Sequence, residues 1–319
     1  MLTRRDWIRI TAGAGAALTL DVDFLKALQA QPLITRPIPS SGQQLPVVGL
    51  GGANTFSEIA GREEFAQIGS VLRALVDGGA TVFDTAAGYG ASEEVSGQVA
   101  AEAGISDRIF WATKMNVAGG RGGGGGRVDP AAARAQVERS FQRLRRPVID
   151  VIQVHNMGDP PTQLGVLREY KQSGRIKYLG ITTTSENQYG QLAEVMRNEP
   201  IDFIGIDYAV DNRGPEEVIF PLALERRIGV LVYLPFGRSR MWARIGDRPL
   251  PDWAAEFDAH TWAQLMLKFV IAHPAVTVAT PGTSDAEHML DNIGGGRGRL
   301  PTPDHVQQMI RLVESLPAA

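Results

Sequence analysis

The sequence predicts an α/β chain of the (β/α)8 TIM-barrel class, one closed cylinder of parallel strands with helices around it. Two observations carry that prediction. Short apolar runs rich in β-forming residues alternate with runs of helical period along most of the chain. Several early apolar runs also end in, or are soon followed by, an ionisable side chain, which is how a parallel barrel arms one rim.

Leu33 to Val48 contains Pro37, Pro39 and the polar stretch Ser40-Ser41-Gly42-Gln43-Gln44. A hairpin plugging the barrel floor is expected there, with Val47 to Gly52 as the first barrel strand. Arg62 to Asp77 sets Phe65, Ile68, Val71, Leu72 and Leu75 at helical spacing and predicts the first outer helix. Val82 to Ala86 returns to strand. Further helices are expected near Ser92–Ala103, Pro130–Leu144, Thr162–Gln172, Ser185–Met196, Pro215–Arg226, Thr261–His273 and Pro303–Ser315. Strands are expected near Phe110–Lys114, Ile149–His155, Tyr178–Thr182, Ile201–Asp207, Gly229–Leu234 and Val276–Thr280. No sequence repeat accompanies this alternation.

Composition narrows the function classes. The 319 residues are 44% hydrophobic and 21% charged, which suits one large domain or two small ones, and the barrel reading favours a single domain over residues 31–319. A formal net charge of −3 offers no basic field for nucleic acid or anionic lipid. With no cysteine there is no disulfide, thiolate catalysis or zinc–cysteine site. Five histidines without an HExxH pattern argue against a histidine-built metal centre.

Residues 1–30 read differently from the rest. Thr3-Arg4-Arg5-Asp6-Trp7-Ile8-Arg9 precedes a short, weakly apolar run, Ile10 to Leu20, and Ala27-Leu28-Gln29-Ala30 offers small residues for cleavage. This pattern reads as a twin-arginine (Tat) signal peptide, which implies the Tat machinery as a partner and a periplasmic or otherwise exported protein. The run is too short for a stable membrane span. A cytoplasmic amphipathic tail is the plainer alternative.

Chemistry concentrates at the strand ends. Thr81-Val82-Phe83-Asp84 ends in a carboxylate and leads through Thr85-Ala86-Ala87-Gly88 to Tyr89. Phe110-Trp111-Ala112-Thr113-Lys114 ends in an amine, and Ile149 to His155 in an imidazole. Each has a bland reading alone: a structural histidine, a buried Asp84–Lys114 ion pair, a packed tyrosine. Gly119 to Arg127 is glycine-dense but lacks both the strand–GxGxxG–helix setting and a Gly-Lys-Ser/Thr ending, so it reads as a flexible rim loop able to act as a lid.

At Phe83-Asp84-Thr85-Ala86, Tyr89-Gly90, Ser92-Glu93-Glu94, Ala112-Thr113-Lys114, Asp150 with Gln153-Val154-His155, Gly174 to Gly180, and Pro281-Gly282 with Asn292, the chain resembles the aldo-keto reductase family. The resemblance runs from about Leu33 to Leu316. It implies hydride transfer between NADP or NAD and a small-molecule carbonyl or alcohol, with Asp84, Tyr89, Lys114 and His155 as catalytic residues. Tyr89 would be the general acid, because a nearby ammonium stabilises a phenolate; Lys114 would supply it and Asp84 would hold Lys114 charged. His155 would donate a hydrogen bond to the substrate oxygen.

The same resemblance assigns cofactor binding to Thr182, Thr183, Gly205, Tyr233, Leu234, Phe236, Gly237, Gly282, Ser284, His288 and Asn292. Tyr233 matches the tyrosine that stacks on nicotinamide. Several positions depart from the family pattern. Leu234 stands for a serine, Phe236 for a leucine, and Thr182-Thr183 for a Ser-Asn pair. Gly205 replaces a glutamine and cannot hydrogen-bond through a side chain. Ser284, beside Asp285, stands where an arginine would meet the 2′-phosphate of NADP, and Arg297 and Arg299 follow further along. The departures leave two other readings open: a non-redox epimerase or lyase acting on a sugar-like molecule, and a non-enzymatic binding barrel.

Overall fold

The computed structural model describes residues 31–119 and 127–317. The export-signal reading of residues 1–30 and most of the glycine-rich rim loop, residues 120–126, lie outside the described residues.

An antiparallel hairpin, β1 (Thr35–Pro37) with β2 (Gln44–Pro46), comes first. Barrel strands follow: β3 (Leu50–Gly51), β4 (Val82–Asp84), β5 (Phe110–Met115), β6 (Ile149–Val154), β7 (Ile176–Thr183), β8 (Phe203–Asp207), β9 (Gly229–Tyr233) and β10 (Val278–Ala279). These eight form one sheet in sequence order with every pairing parallel. Parallel bridges from Val48 to Ala279 and from Gly51 to Gly282 join the first barrel strand to the last and close the cylinder.

The helices between strands are α1 (Thr55–Gly61), α2 (Phe65–Asp77), α3 (Ser92–Glu102), α4 (Pro130–Leu144), α5 (Pro160–Gln172), α6 (Tyr189–Asn198), α7 (Ile219–Arg226), α8 (Arg240–Ile245), α9 (Trp262–Ala272), α10 (Ala286–Gly294) and α11 (Pro303–Ser315). Three of them, α1, α8 and α10, are not predicted by apolar period. Two are short, and α10 begins at Asp285, whose side chain accepts from the amides of Glu287 and His288 as an N-cap. Among the described residues no helix is long and apolar enough to cross a membrane.

Strand alternation sorts side chains between two cores. Val82, Phe110, Val151, Tyr178, Phe203, Leu231 and Val278 form the interior cluster, which Ile38 and Leu45 of the hairpin region join. Ser41 Oγ lies 2.7 Å from the Tyr178 hydroxyl, which also donates to Gln43 Oε1 at 3.0 Å, so the hairpin plugs the floor as its turn residues predict. The intervening positions, including Phe83, Trp111, Ile152 and Val230, face the helices in a second, larger core. This parity decides the site: in β4 the inward residue after Val82 is Asp84, and in β5 the one after Ala112 is Lys114.

Candidate active site

Asp84 and Lys114 meet inside the barrel mouth, at 3% and 1% exposure. Lys114 Nζ donates to Asp84 Oδ2 and, at 2.8 Å, to the carbonyl of Thr85. Burial opposes the charge on the amine, but Asp84 and then Tyr89 outweigh it and hold Lys114 above the ordinary lysine range. Burial also lifts the Asp84 carboxyl above its ordinary range, with Lys114 and then Tyr233 acting against that rise, so each member of the pair depends on the other for its charge.

The loop after β4 fixes Tyr89. Thr85 N donates to Ala112 O and Ala87 N to Lys114 O, extending the β4–β5 pairing past the strand. Thr85 Oγ1 donates to Ser92 Oγ at 2.9 Å, and Ser92 passes the bond to Gly52 O at 3.1 Å. Tyr89 N then closes a turn on Ala86 O. The outcome is a half-buried phenol ring whose centroid lies 5.1 Å from Lys114 Nζ. The His155 ring meets it edge to face at 5.6 Å, from a short helical turn that begins where β6 ends. The four residues predicted as catalytic thus converge at one end of the barrel.

Tyr233 joins them. Its ring centroid lies 4.8 Å from the same ammonium. Its hydroxyl donates to Asp84 Oδ1 at 3.2 Å and accepts from Gln153 Nε2 at 2.9 Å. Gln153 is fully buried, and its own Oε1 has no partner among the described residues. The sequence pattern alone assigns Gln153 no role; its inward parity with Val151 on β6 is what brings it to the site. Directly after Tyr233, Leu234 takes a φ of 55°, a left-handed conformation costly for a branched side chain.

The predicted cofactor residues divide. Thr182, Gly205 and Tyr233 come from the neighbouring strands β7, β8 and β9. Leu234 packs on the interior cluster. Gly237 has a φ of 56°, and a Cβ there would lie 2.4 Å from Asp211 Oδ1, so its loop folds close with no side chain between. Phe236 turns toward Trp242, with ring centroids 5.2 Å apart. Gly282 bridges to Gly51 at the closure seam. Ser284, His288 and Asn292 belong to the start and body of α10, where Ser284 O accepts from Gln67 Nε2 at 2.6 Å and Asn292 is fully buried.

Several polar groups there are already engaged. Thr182 Oγ1 accepts from Asn156 N at 3.3 Å, and Thr183 Oγ1 donates to Gln188 Oε1 at 2.5 Å. Arg297 donates to the carbonyls of Gln31 and Gly78, and Arg299 pairs with Asp258 at 2.8 Å, so both guanidinium groups already have partners within the chain. Among the described residues no cluster of three or more His, Asp or Glu could hold a metal ion.

The profile of the aldo/keto reductase family matches residues 47–309. The chain belongs to the aldo/keto reductase family. That membership makes it an oxidoreductase of the NAD(P)-dependent class. It is similar to aldo-keto reductase str7 of Strobilurus tenacellus, 26% identical over 278 residues that span 76% of this chain and 80% of that protein. Among solved structures, the holo form of aldo-keto reductase AKR11C1 from Bacillus halodurans superposes with a TM-score of 0.69 at 25% identity, covering 90% of this chain and 98% of that one. An aldo-keto reductase from Klebsiella pneumoniae in complex with NADPH gives a TM-score of 0.70 at 24% identity, covering 88% and 96%.

For a nicotinamide dinucleotide the residues of this aldo/keto reductase fit in kind. Thr182 and Thr183 offer hydroxyls on β7 and the Tyr233 ring lies beside the buried Asp84–Lys114 pair, although the carboxylate of Asp211 packs directly against Gly237. An additional 2′-phosphate fits less well. The first amides of α10 already face the carboxylate of Asp285, and no lysine or arginine stands between Thr280 and His288.

Proposed function

We propose that this protein is an exported, periplasmic carbonyl reductase that interconverts an aldehyde or ketone with its alcohol, using Tyr89 as general acid and base. The observation that carries the reading is the buried Asp84–Lys114 pair with the Tyr89 ring on its ammonium and His155 at the ring's edge. When bound, the nicotinamide cofactor supplies or accepts the hydride. Thr182, Thr183 and the Gly237 loop are the groups that would hold it.

The remaining chemistry belongs to the chain. A carbonyl oxygen that gains negative charge needs a proton, and a phenol beside an ammonium gives one up more readily than a phenol in water. Lys114 is kept charged by Asp84, so the ammonium can stabilise the phenolate left on Tyr89. His155, next to Tyr89, would donate to the same substrate oxygen and orient it. Relatives with bound NADP or NADPH support the cofactor class. The Asp285 cap favours NAD over NADP in this chain. Export rests on the paired arginines Arg4-Arg5 and the short apolar run behind them.

The test is direct. Purified protein given NADH or NADPH and an aromatic aldehyde should consume the reduced dinucleotide, and Tyr89→Phe should stop it while dinucleotide binding persists. Binding with no turnover of any carbonyl or alcohol would sink the reading. A second reading, a non-redox epimerase or lyase, draws on the committed hydroxyls of Thr182 and Thr183 and the bare Gly205. Turnover by dinucleotide-free protein would favour it.

A further inference from the structure

Tyr233 is placed in a way that its family role does not require. Inward parity on β9 runs from Leu231 to Tyr233, and register sets Leu231 beside Gly205 and Tyr233 beside Asp207. The phenol lies over Gly205. A Cβ built there would come within 2.4 Å of both a ring carbon and the hydroxyl oxygen of Tyr233, and the barrel wall would have to shift or the ring leave. The bare glycine and the seated ring are one arrangement.

The hydroxyl is wired at both ends. Gln153 donates to it from β6, and it donates to Asp84 Oδ1, the oxygen that Lys114 does not take. Burial first, and Asp84 after it, push the phenol well above its ordinary value, so it stays a donor throughout the working pH range. Packing alone would not ask for this oxygen, since phenylalanine would fill the same hollow.

We propose that Tyr233 is a positioning residue for the proton donor: seated at Gly205, its hydroxyl holds Asp84 and so leaves the charge of Lys114 directed at Tyr89. The groups facing the ammonium are Asp84 from β4, Tyr89 from the loop after it, the Thr85 carbonyl and the Tyr233 ring; Gln153 and His155 stand behind them. A carboxylate that receives two donors leans less on either. With the hydroxyl removed, Asp84 draws wholly on Lys114, and the ammonium does less for Tyr89. No proton leaves Tyr233 in this account. Its kinetic readout rests on the carbonyl-reductase reading; its stability readout does not.

The experiment compares wild type, Tyr233→Phe and Gly205→Ala in NADH- and NADPH-dependent reduction of an aromatic aldehyde across pH. Tyr233→Phe is expected to lower kcat about tenfold with KM within about twofold, and to move the alkaline limb upward by about half a pH unit, because a weaker acid stays protonated to higher pH. Gly205→Ala should give the same signature by evicting the ring. In parallel, urea midpoints of Tyr233→Phe, Asp84→Asn and the double variant form a cycle, in which the double variant should lose less than the two single losses combined. An unmoved alkaline limb, or additive midpoints, overturns the proposal. If wild type reduces no carbonyl, the reductase reading falls by itself and the unfolding cycle decides the Tyr233–Asp84 link.

Discussion

Among the described residues two lysines, Lys114 and Lys268, are buried, and they are buried in opposite company. Lys114, at the mouth, meets the carboxylate of Asp84 and is held above the ordinary lysine range despite its burial. Lys268, on α9, meets the carbonyls of Arg297 at 2.5 Å and Arg299 at 2.9 Å, and burial pushes it down to about 8. Depth is nearly equal, at 1% and 0% exposure, so depth does not set the charge. A full countercharge offsets desolvation where two carbonyl dipoles do not. The first lysine sets an ammonium beside the Tyr89 ring; the second ties the segment after α10 to α9.

The largest effect should come from breaking the first pair. Lys114→Met leaves Asp84 as an uncompensated buried charge, which typically costs about 3–5 kcal/mol. Reductase activity should vanish with it, and urea unfolding beside dinucleotide titration would separate the two losses. Tyr89→Phe comes next: kcat should drop by roughly 10²–10⁴-fold, the usual range for a lost general acid, with the unfolding midpoint nearly unchanged.

Lys268 sharpens the contrast through pH. Its native value lies below the ordinary 10.5, so the unfolded chain binds more protons between about 8 and 10.5. Stability should therefore rise with pH across that window, having carried the full penalty below it. Lys268→Met should remove this rise without abolishing turnover, and urea midpoints on either side of the window would show it. The smallest effect concerns the α10 start, where the amides already face the chain's own carboxylate. Ser284→Arg should move the NADPH-to-NADH preference in kcat/KM by about tenfold, or about 1.4 kcal/mol.

Much of this was legible before any coordinates. Successive strand ends place Asp84, Lys114 and His155 on one rim, and the turn residues around Gly42 place the hairpin at the floor. What escaped has physical reasons. The helices α1 and α8 are too short for a period to declare itself, and α10 sits where the segment read as a cofactor loop; only Asp285 signalled its start. Gln153 and the seat of Tyr233 at Gly205 depend on contacts between strands distant in sequence, which a single-strand pattern does not carry. The commitments of Arg297 and Arg299 are likewise tertiary facts.

The sheet is shut by two narrow contacts, Val48 with Ala279 and Gly51 with Gly282, which bring together the opening and closing portions of the barrel sequence. A ribosome must therefore release nearly the entire polypeptide before the ring can lock. Until then Asp84 and Lys114 would stand in an open, wet trough, with Tyr233 not yet fixed against Asp84. The site is therefore assembled only once both ends of the barrel sequence are present.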